Sequence, residues 1–416
     1  MRRPRTRRLH RAPFSALLLS LLVVLSPDLT LAPIQAGEPV VADKPVAADK
    51  PVLGPRHLDE VGLPPVSRFP PTDAIAPLSA DRRTTEGVPP VAVAFADAPR
   101  YQSALEAARA AAGAYGVTFA AVRDGQLLWS GSSGRERDGL TELTADSTLV
   151  IGSVTKTYVS ALVLQMAEEG LLDLDDSVRD HLPSVPDMSS EITIRQLLDH
   201  SSGLADVFND TTRRGLEEDP GHAWTAEEVL RTLHAPWYPP GKGWAYANTN
   251  YFLLGMIVER LTGSTLGEEL DRRILEPLRL ESTHLMTGTD TTGPLAPAWS
   301  TIFWASGAMT ASAADLARWG DALYGDGMLQ PETRAAMLAL NDHDYGFGVQ
   351  KVELPGATGY GHTGLLNTYT TLLYHDPSDD LTIALLVNRS HVDLGGMLMI
   401  PAPGGGPSLY ELVTGN

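Results

Sequence analysis

The chain has 416 residues, of which 43% are hydrophobic and 20% charged, an ordinary composition for a globular protein. Its net charge of -19 argues against nucleic acid and anionic membranes as partners, because like charges repel. The absence of Cys excludes disulfides, thiolate catalysis, thiolate metal sites and lipid attachment through an N-terminal Cys.

Residues 1–36 predict a signal peptide. Six Arg precede an apolar run from Phe14 to Leu25, and cleavage is expected after Ala32 or Ala36. This run of 12 residues is short of the roughly 20 that a membrane-spanning helix needs. We therefore expect a secreted or extracytoplasmic protein with no integral membrane span in the mature chain. The alternative is an uncleaved anchor.

Residues 37–98 have the composition of a linker. Pro, Ala, Val and Asp dominate, and the segment at 42–46 is repeated at 48–52. Proline lacks a backbone donor and favours extended structure, so neither a helix nor a strand ladder forms easily here. The folded domain is expected to occupy residues 99–416.

The domain opens with a helical pattern and a hairpin. Helical spacing covers Tyr101–Ala112, and two β-like runs, Gly116–Val122 and Gln126–Ser130, flank the turn dipeptide Asp124-Gly125. A longer helix is predicted over Lys156–Glu169, where apolar residues recur with a 3.6-residue period. Further helices are predicted at Ile194–Asp199, Ala226–Leu233, Tyr251–Leu261 and Ala313–Tyr324, and later strands at Gly346–Val352, Thr368–Tyr374 and Leu381–Val387.

This order of elements predicts the fold class. Strands stand at both ends of the domain and helices lie between them, as in a single sheet that is built from both chain ends. We expect an α/β architecture with a helical subdomain inserted between the two groups of strands.

Ser153 and Lys156 are candidate catalytic residues at the start of the long helix. Positions three apart share one face of a helix, so the amine can approach the hydroxyl. A serine needs a neighbouring base to become a good nucleophile, and a desolvated Lys can lose its proton and act as that base. The helix N-terminus also favours negative charge on an attacked carbonyl.

Lysine usage strengthens this interpretation. Five of the 32 basic residues are Lys, namely Lys44, Lys50, Lys156, Lys242 and Lys351. Arg cannot act as a base at neutral pH, so a chain that otherwise uses Arg has kept Lys where a base would be needed. An isolated Ser-x-x-Lys is still more often a capping Ser beside a surface Lys.

Two later segments supply candidate partners for this pair. Tyr246 and Asn248 lie at a loop-to-helix junction, where a Tyr can relay a proton and an Asn can hold a Lys or a substrate carbonyl. In the segment 361–364, Gly permits close approach of a substrate, and His362 and Thr363 offer polar groups. Taken alone, the first segment is more simply a buried aromatic with an Asn cap, and the second a turn.

Together the three segments resemble the serine β-lactamase and penicillin-binding protein superfamily. Its signatures occur in order, as Ser153–Lys156, Tyr246–Asn248 and His362–Gly364. The resemblance covers roughly residues 100–390 and is closest to the branch of class C β-lactamases and D-alanyl-D-alanine carboxypeptidases. It implies a β-lactamase-like fold, with an antiparallel sheet flanked by helices. Supporting stretches are Ile151–Thr157, Leu197–Leu204, Ser306–Thr310 and Tyr345–Gly348.

The resemblance also implies catalytic roles. Ser153 would attack a carbonyl and form an acyl-enzyme, while Lys156 and Tyr246 share general-base and proton-relay work; which of the two takes the serine proton stays open. Asn248 would bind Lys156 or the substrate amide. The backbone donors of Ser153 and Leu365 would form the oxyanion hole, and neither metal nor cofactor is implied.

The substrate side is less specified. His362, Thr363 and Gly364 would line the site for a substrate carboxylate or leaving group. Gln350 and Lys351 stand where some carboxypeptidases carry an Arg for a terminal carboxylate, so such a clamp is uncertain here. With His362 in place of Lys, an avid class C β-lactamase is less expected, because the charge of His depends on pH.

The expected function is a D-alanyl-D-alanine carboxypeptidase-like peptidase. Its substrates would include small peptides, among them peptidoglycan peptides, and the protein is expected to be a monomer. Alternatives are an esterase, a weak class C-type β-lactamase, or a penicillin-binding or sensor protein that acylates without turnover.

Overall fold

The computed structural model describes residues 97–185, 189–290, 293–325 and 327–415. The predicted signal peptide and all but the last two residues of the predicted linker lie outside the described residues. Among the described residues, no helix is both long enough and apolar enough to cross a bilayer.

The helices and strands are numbered separately in chain order. The helices are α1 (Ala98–Ala112), α2 (Thr155–Glu168), α3 (Val178–His181), α4 (Ile194–Leu198), α5 (Asp210–Glu218), α6 (Ala226–Arg231), α7 (Asn248–Thr262), α8 (Leu266–Leu270), α9 (Glu276–Leu278), α10 (Pro297–Gly307), α11 (Ala313–Tyr324), α12 (Pro331–Met337), α13 (Leu394–Leu398) and α14 (Leu409–Thr414). A 3-10 turn at Gly152–Val154 precedes α2, and a π-helical turn at Asp271–Leu275 precedes α9. The strands are β1 (Gly116–Arg123), β2 (Gln126–Gly134), β3 (Leu149–Val150), β4 (His284–Leu285), β5 (Met309–Ala311), β6 (Gln350–Leu354), β7 (Ala357–Leu366), β8 (Tyr369–Asp376) and β9 (Leu381–Val387).

The main sheet joins the two ends of the domain. Its strand order is β2-β1-β9-β8-β7-β6, and every neighbouring pair is antiparallel. The small sheet β3-β5-β4 and most of the helices come from the chain between β2 and β6. The predicted α/β class, the sheet built from both chain ends and the intervening helical region are therefore confirmed.

The first hairpin forms where its turn residues predict it. Asp124 and Gly125 have φ angles of 50° and 75°, and this pair of positive angles is typical of the two-residue turns that match strand twist. The hairpin fixes the register of β1 on β2, so that the other edge of β1 is open for β9.

Alternating side chains of β9 serve two cores on opposite faces of the sheet. Leu381, Ile383 and Leu385 pack in the core that contains α1, α13 and α14. Ala384 and Leu386 belong to the larger core that contains α2 and α11. This period-2 alternation of an entirely buried strand gives three layers, helix on sheet on helix.

Helix α2 lies deep in the larger core. Eleven of its 14 residues are buried, including Lys156. A helix that is buried on all sides is held by packing around its circumference, so the residues at its N-terminus have little freedom to move.

Two predicted strand features were wrong in detail. The strand predicted at Gly346–Val352 begins only at Gln350, because Gly348 has φ 70° and a turn closes through a bond from Gly346 N to Val349 O. The segment with His362 is not a turn before a strand but the interior of β7. Its small residues obscure the strand pattern: a β-carbon on Gly361 would overlap the carbonyl oxygen of Leu373 on β8.

Candidate active site

Ser153 sits in a tight turn between β3 and α2. Gly152 has φ 53°, a conformation that glycine adopts without strain. A β-carbon at Gly152 would also lie 2.9 Å from the backbone nitrogen of Leu365 on β7. Glycine therefore allows the turn to bend sharply against β7 and places Ser153 at the beginning of α2.

Lys156 lies one helical turn later and reaches back to Ser153. Its Nζ is 3.2 Å from Ser153 Oγ, 2.9 Å from Asn248 Oδ1 and 2.7 Å from the carbonyl oxygen of Ser306 in α10. The side chain is fully buried. Burial lowers the pKa of Lys156 from 10.5 to about 7, although the negative charge of Asp206 opposes the shift.

The three contacts of Lys156 determine which way its lone pair points. The amide oxygen of Asn248 and the carbonyl oxygen of Ser306 can only accept hydrogen bonds. A neutral amine has two N–H groups, and these two acceptors use both of them. The lone pair is then left for Ser153, which alone among the three partners can donate a proton.

Tyr246, in the loop before α7, lies beside Ser153 and Lys156. Its ring centroid is 4.8 Å from Lys156 Nζ, and its buried hydroxyl has no hydrogen bond of normal geometry to any described residue. Burial raises the pKa of Tyr246 well above its ordinary value, and a weaker interaction with Ser153 acts in the opposite direction. The hydroxyl is thus protonated, lies near Ser153 and is available to a further partner.

Asp206, which no sequence pattern indicated, binds Asn248 on the side opposite Lys156. The Nδ2 of Asn248 donates to Asp206 Oδ2 at 3.2 Å, and the backbone N–H of Asn248 donates to Asp206 Oδ1 at 3.1 Å. Asp206 lies in the loop between α4 and α5, outside any periodic pattern, so the sequence gives no local signal of this contact.

His362 is buried inside β7 rather than exposed beside Ser153. Its Nδ1 donates to the carbonyl oxygen of Thr363 at 2.6 Å, since a carbonyl can only accept. Its Nε2 is 3.1 Å from the hydroxyl of Tyr345. Burial lowers the pKa of His362 from 6.5 to about 3, so the imidazole is neutral at physiological pH. Its predicted contact with a substrate carboxylate or leaving group stays a prediction.

A second buried histidine fixes the direction of these bonds. His200 follows α4 in a turn, with φ 64°. Its Nδ1 accepts from Asn250 Nδ2 at 2.8 Å and from the backbone N–H of Ala247 at 3.3 Å. The proton is therefore on Nε2, which donates to the Tyr345 hydroxyl at 3.2 Å. Tyr345 in turn donates to His362, so the two imidazoles and the phenol form one directed chain.

The edge of β7 beyond His362 faces the Ser153 turn. Thr363 is exposed, and both its N–H and its hydroxyl donate to Gln350 Oε1, at 3.0 Å and 3.1 Å. Backbone N–H groups of residues two apart in a strand point to the same edge, so the N–H of Leu365 is directed to this edge as well. A β-carbon on Gly364 would overlap the carbonyl oxygen of Ile151, so glycine lets the strand and the turn approach each other.

The structure thus brings most of the predicted residues together. Ser153, Lys156, Tyr246 and Asn248 form one contiguous cluster, and Leu365 lies against the turn that carries Ser153. The arrangement offers a serine beside an amine whose pKa is lowered to about 7, together with backbone donors on the opposite side. These groups can support attack by a serine hydroxyl on a carbonyl and stabilise the oxyanion that forms.

Comparison with known proteins gives the family. The β-lactamase family profile matches residues 102–397, and the chain belongs to this family. The resemblance to serine β-lactamases and penicillin-binding proteins seen in the sequence is thereby confirmed.

Individual relatives have various names. The chain is 29% identical over 332 residues to penicillin-binding protein 4 of Amycolatopsis lactamdurans, covering 70% of this chain and 85% of that one. It is 28% identical over 301 residues to a D-aminopeptidase of Brucella anthropi, covering 66% of this chain but only 56% of that one. Among solved structures, a D-stereospecific amidohydrolase from Streptomyces sp. matches with a TM-score of 0.61 and 29% identity, over 71% of this chain and 95% of that one.

Proposed function

We propose that this protein hydrolyses amide bonds next to D-amino acids through an acyl-enzyme on Ser153. The observation that carries the proposal is the 3.2 Å contact between Ser153 Oγ and a buried Lys156 whose pKa is about 7. The names of the D-aminopeptidase and the D-stereospecific amidohydrolase support the substrate class.

Acylation begins with proton transfer to Lys156. The Ser153 O–H bond breaks as Oγ bonds to the substrate carbonyl carbon, and the proton goes to the lone pair of Lys156 Nζ. Above pH 7 most Lys156 side chains are neutral and can accept it. Asn248 Oδ1 and the carbonyl oxygen of Ser306 then stabilise the ammonium group that forms.

The remaining groups complete the cycle. The backbone N–H groups of Ser153 and Leu365 stabilise the oxyanion, which develops between the N-terminus of α2 and the edge of β7. As the carbon–nitrogen bond breaks, Tyr246, whose hydroxyl is protonated and near Ser153, gives its proton to the leaving nitrogen and takes up the proton held by Lys156. Water then attacks the acyl-enzyme by the reverse route and releases the acid.

The charge of the site bears on which leaving group is accepted. His362 is buried and neutral, and the ammonium group of Lys351 lies 2.8 Å from Glu353 and 3.7 Å from Asp344. Neither supplies an unpaired cation for a terminal carboxylate. An amide or peptide with an uncharged leaving group is therefore the best-supported substrate.

The carboxypeptidase activity expected from the sequence is the second candidate. Gln350 favours it, because both bonds from Thr363 end on Oε1 and thereby orient the amide with Nε2 as a donor at the exposed edge of β7. An amide N–H can bind a carboxylate without a formal charge.

A substrate panel separates the candidates. We expect D-amino-acid amides to be hydrolysed faster than a peptide ending in D-Ala-D-Ala, a short-chain ester or a chromogenic cephalosporin. Preference for the D-Ala-D-Ala peptide would establish the second candidate, and fast cephalosporin turnover a β-lactamase. A fluorescent penicillin that labels the protein without release would indicate a non-turnover binding protein.

Ser153→Ala is the control for the whole panel. The variant should keep the wild-type fold by circular dichroism but lose covalent labelling and all hydrolysis, because the nucleophile is gone. Labelling that persists at another residue would refute Ser153 as the nucleophile.

A further inference from the structure

We propose that Asp206 is a positioning residue for Lys156, which fixes the orientation of Asn248 and supplies the negative charge that balances the ammonium group formed during acylation. The inference rests on the proposed function of the Ser153 site. It adds to that site a carboxylate that reaches the general base only through a neighbouring amide.

Asp206 uses both carboxylate oxygens in one local arrangement. Oδ1 accepts from the backbone N–H groups of Phe208 at 3.0 Å and Asn248 at 3.1 Å. Oδ2 accepts from Asn248 Nδ2 at 3.2 Å. The carboxylate is therefore fixed against the first residue of α7, and its second oxygen binds the side-chain amide.

This contact determines which end of the Asn248 amide faces Lys156. With Nδ2 bound to Asp206, Oδ1 is directed at Lys156 Nζ, 2.9 Å away. If the amide flipped, Nδ2 would face an ammonium group that has only donors, and Oδ1 would face a carboxylate that has only acceptors. Asp206 thus keeps Oδ1 of Asn248 facing Lys156, where it accepts a hydrogen bond from the ammonium form.

Asp206 is also the charged group that acts on Lys156. It raises the pKa of Lys156 against the effect of burial. Burial likewise raises the pKa of Asp206, and the nearby Lys156 opposes that shift. The other titratable groups around Lys156 are held neutral by burial, namely Tyr246, Tyr251, His200 and His362. When Ser153 transfers its proton, Asp206 is the carboxylate, among the residues that the structure describes, whose charge acts on the new ammonium group in this region of low dielectric.

The test measures the titration of the Lys156 side chain itself. The chain has five Lys, so 13C-labelled lysine gives a simple NMR spectrum in which Lys156 is assigned by its loss in Lys156→Arg. We expect the titration midpoint of Lys156 to move to lower pH in Asp206→Asn, because the charge that favours the ammonium form is removed. The acid limb of kcat/KM should move in the same direction, and kcat/KM at its plateau should fall by about ten- to a hundredfold as Asn248 loses its anchor.

Asp199→Asn is the matched control. Asp199 is a partly buried carboxylate in the neighbouring segment, and its Oδ1 accepts from the N–H and the hydroxyl of Ser201 instead of from Asn248. Its loss should leave the Lys156 midpoint unchanged. An unchanged midpoint in Asp206→Asn would overturn the proposal, even if activity falls, because a purely structural role would produce that result.

Two further outcomes are distinguishable. If wild-type Ser153 forms no acyl-enzyme, the proposed function fails, and the NMR midpoint still decides the role of Asp206. If Asp206→Asn does not fold, Asp206→Glu keeps the charge on a longer side chain. That variant should keep the Lys156 midpoint near wild type while acylation slows, and unchanged acylation would overturn the positioning role.

Discussion

Burial of Lys156 lowers the pKa of its amine and also lowers the stability of the protein. A Lys whose pKa falls from 10.5 to about 7 on folding takes up its proton less readily in the folded state than in the unfolded state. Between these two values the unfolded chain binds more protons, so the free energy of unfolding rises with pH across this window. Below pH 7 both states are protonated, and the destabilisation is complete.

Replacement of Lys156 by Met removes this pH dependence. We expect the gain in the free energy of unfolding from Lys156→Met, relative to wild type, to be about 3 kcal/mol larger at pH 6 than at pH 9. The gain is smaller at pH 9 because the wild-type protein itself becomes more stable between about pH 7 and pH 9, as the buried amine loses its proton in the folded state. Urea unfolding at both pH values measures the difference.

Lys351→Met is the control for this measurement. Lys351 lies beside Glu353 and Asp344, which raise its pKa, so it is charged in both states at pH 6 and pH 9. Its replacement should change the free energy of unfolding equally at the two pH values. The same pH-independent behaviour in Lys156→Met would contradict a lowered pKa for Lys156.

At the scale of elements, success of the sequence predictions followed the strength of local patterns. Helix α11 and strand β9 have the predicted bounds, because each has a clear apolar pattern. No apolar pattern marks strand β7, because its glycines carry no side chains and are required by the close approach of neighbouring backbone.

In the candidate site, too, local spacing predicts the residues that are close in sequence but not the contacts between distant segments. Ser153 and Lys156 are three residues apart on a helix, which local spacing reveals. Asp206 approaches Asn248 across 42 residues of sequence, and Tyr345 approaches His200 across 145. Such contacts depend on how the elements pack, so no local pattern in the chain could predict them.

The close approach of β7 to the Ser153 turn gives a prediction at this scale. In Gly364→Ala the added methyl group would overlap the Ile151 carbonyl oxygen, so the strand must move away from the turn. We expect acylation of Ser153 to slow by about a hundredfold, because the Leu365 N–H is displaced from the developing oxyanion.

Gly267→Ala provides the comparison. A β-carbon at Gly267 in α8 meets no atom within 4 Å, and the helix should gain slightly in stability. Stopped-flow acylation of both variants, with thermal melting as a check on folding, gives the measurement. Wild-type acylation in Gly364→Ala would exclude a role for the β7 edge.

At the scale of the whole molecule, the N-terminal segment predicts export. When the complete chain is produced in a bacterium with active secretion, we expect the mature protein outside the cytoplasm to begin after Ala32 or Ala36. Intact-mass measurement of the secreted protein identifies the cleavage site. An exported, membrane-bound product that retains Phe14–Leu25 would instead support an uncleaved anchor.

The sheet that joins both chain ends has a consequence for how the protein is made. Strand β1 needs β9 as its second neighbour, and the Gly116 N–H bonds Asn388 Oδ1 across 272 residues. A ribosome synthesises the N-terminus first, so β1 waits unpaired on one edge until nearly the entire domain has been translated. Export, as the N-terminal segment predicts it, would therefore act on a chain whose central sheet is still open, and this open edge would need protection from other chains until β9 is made.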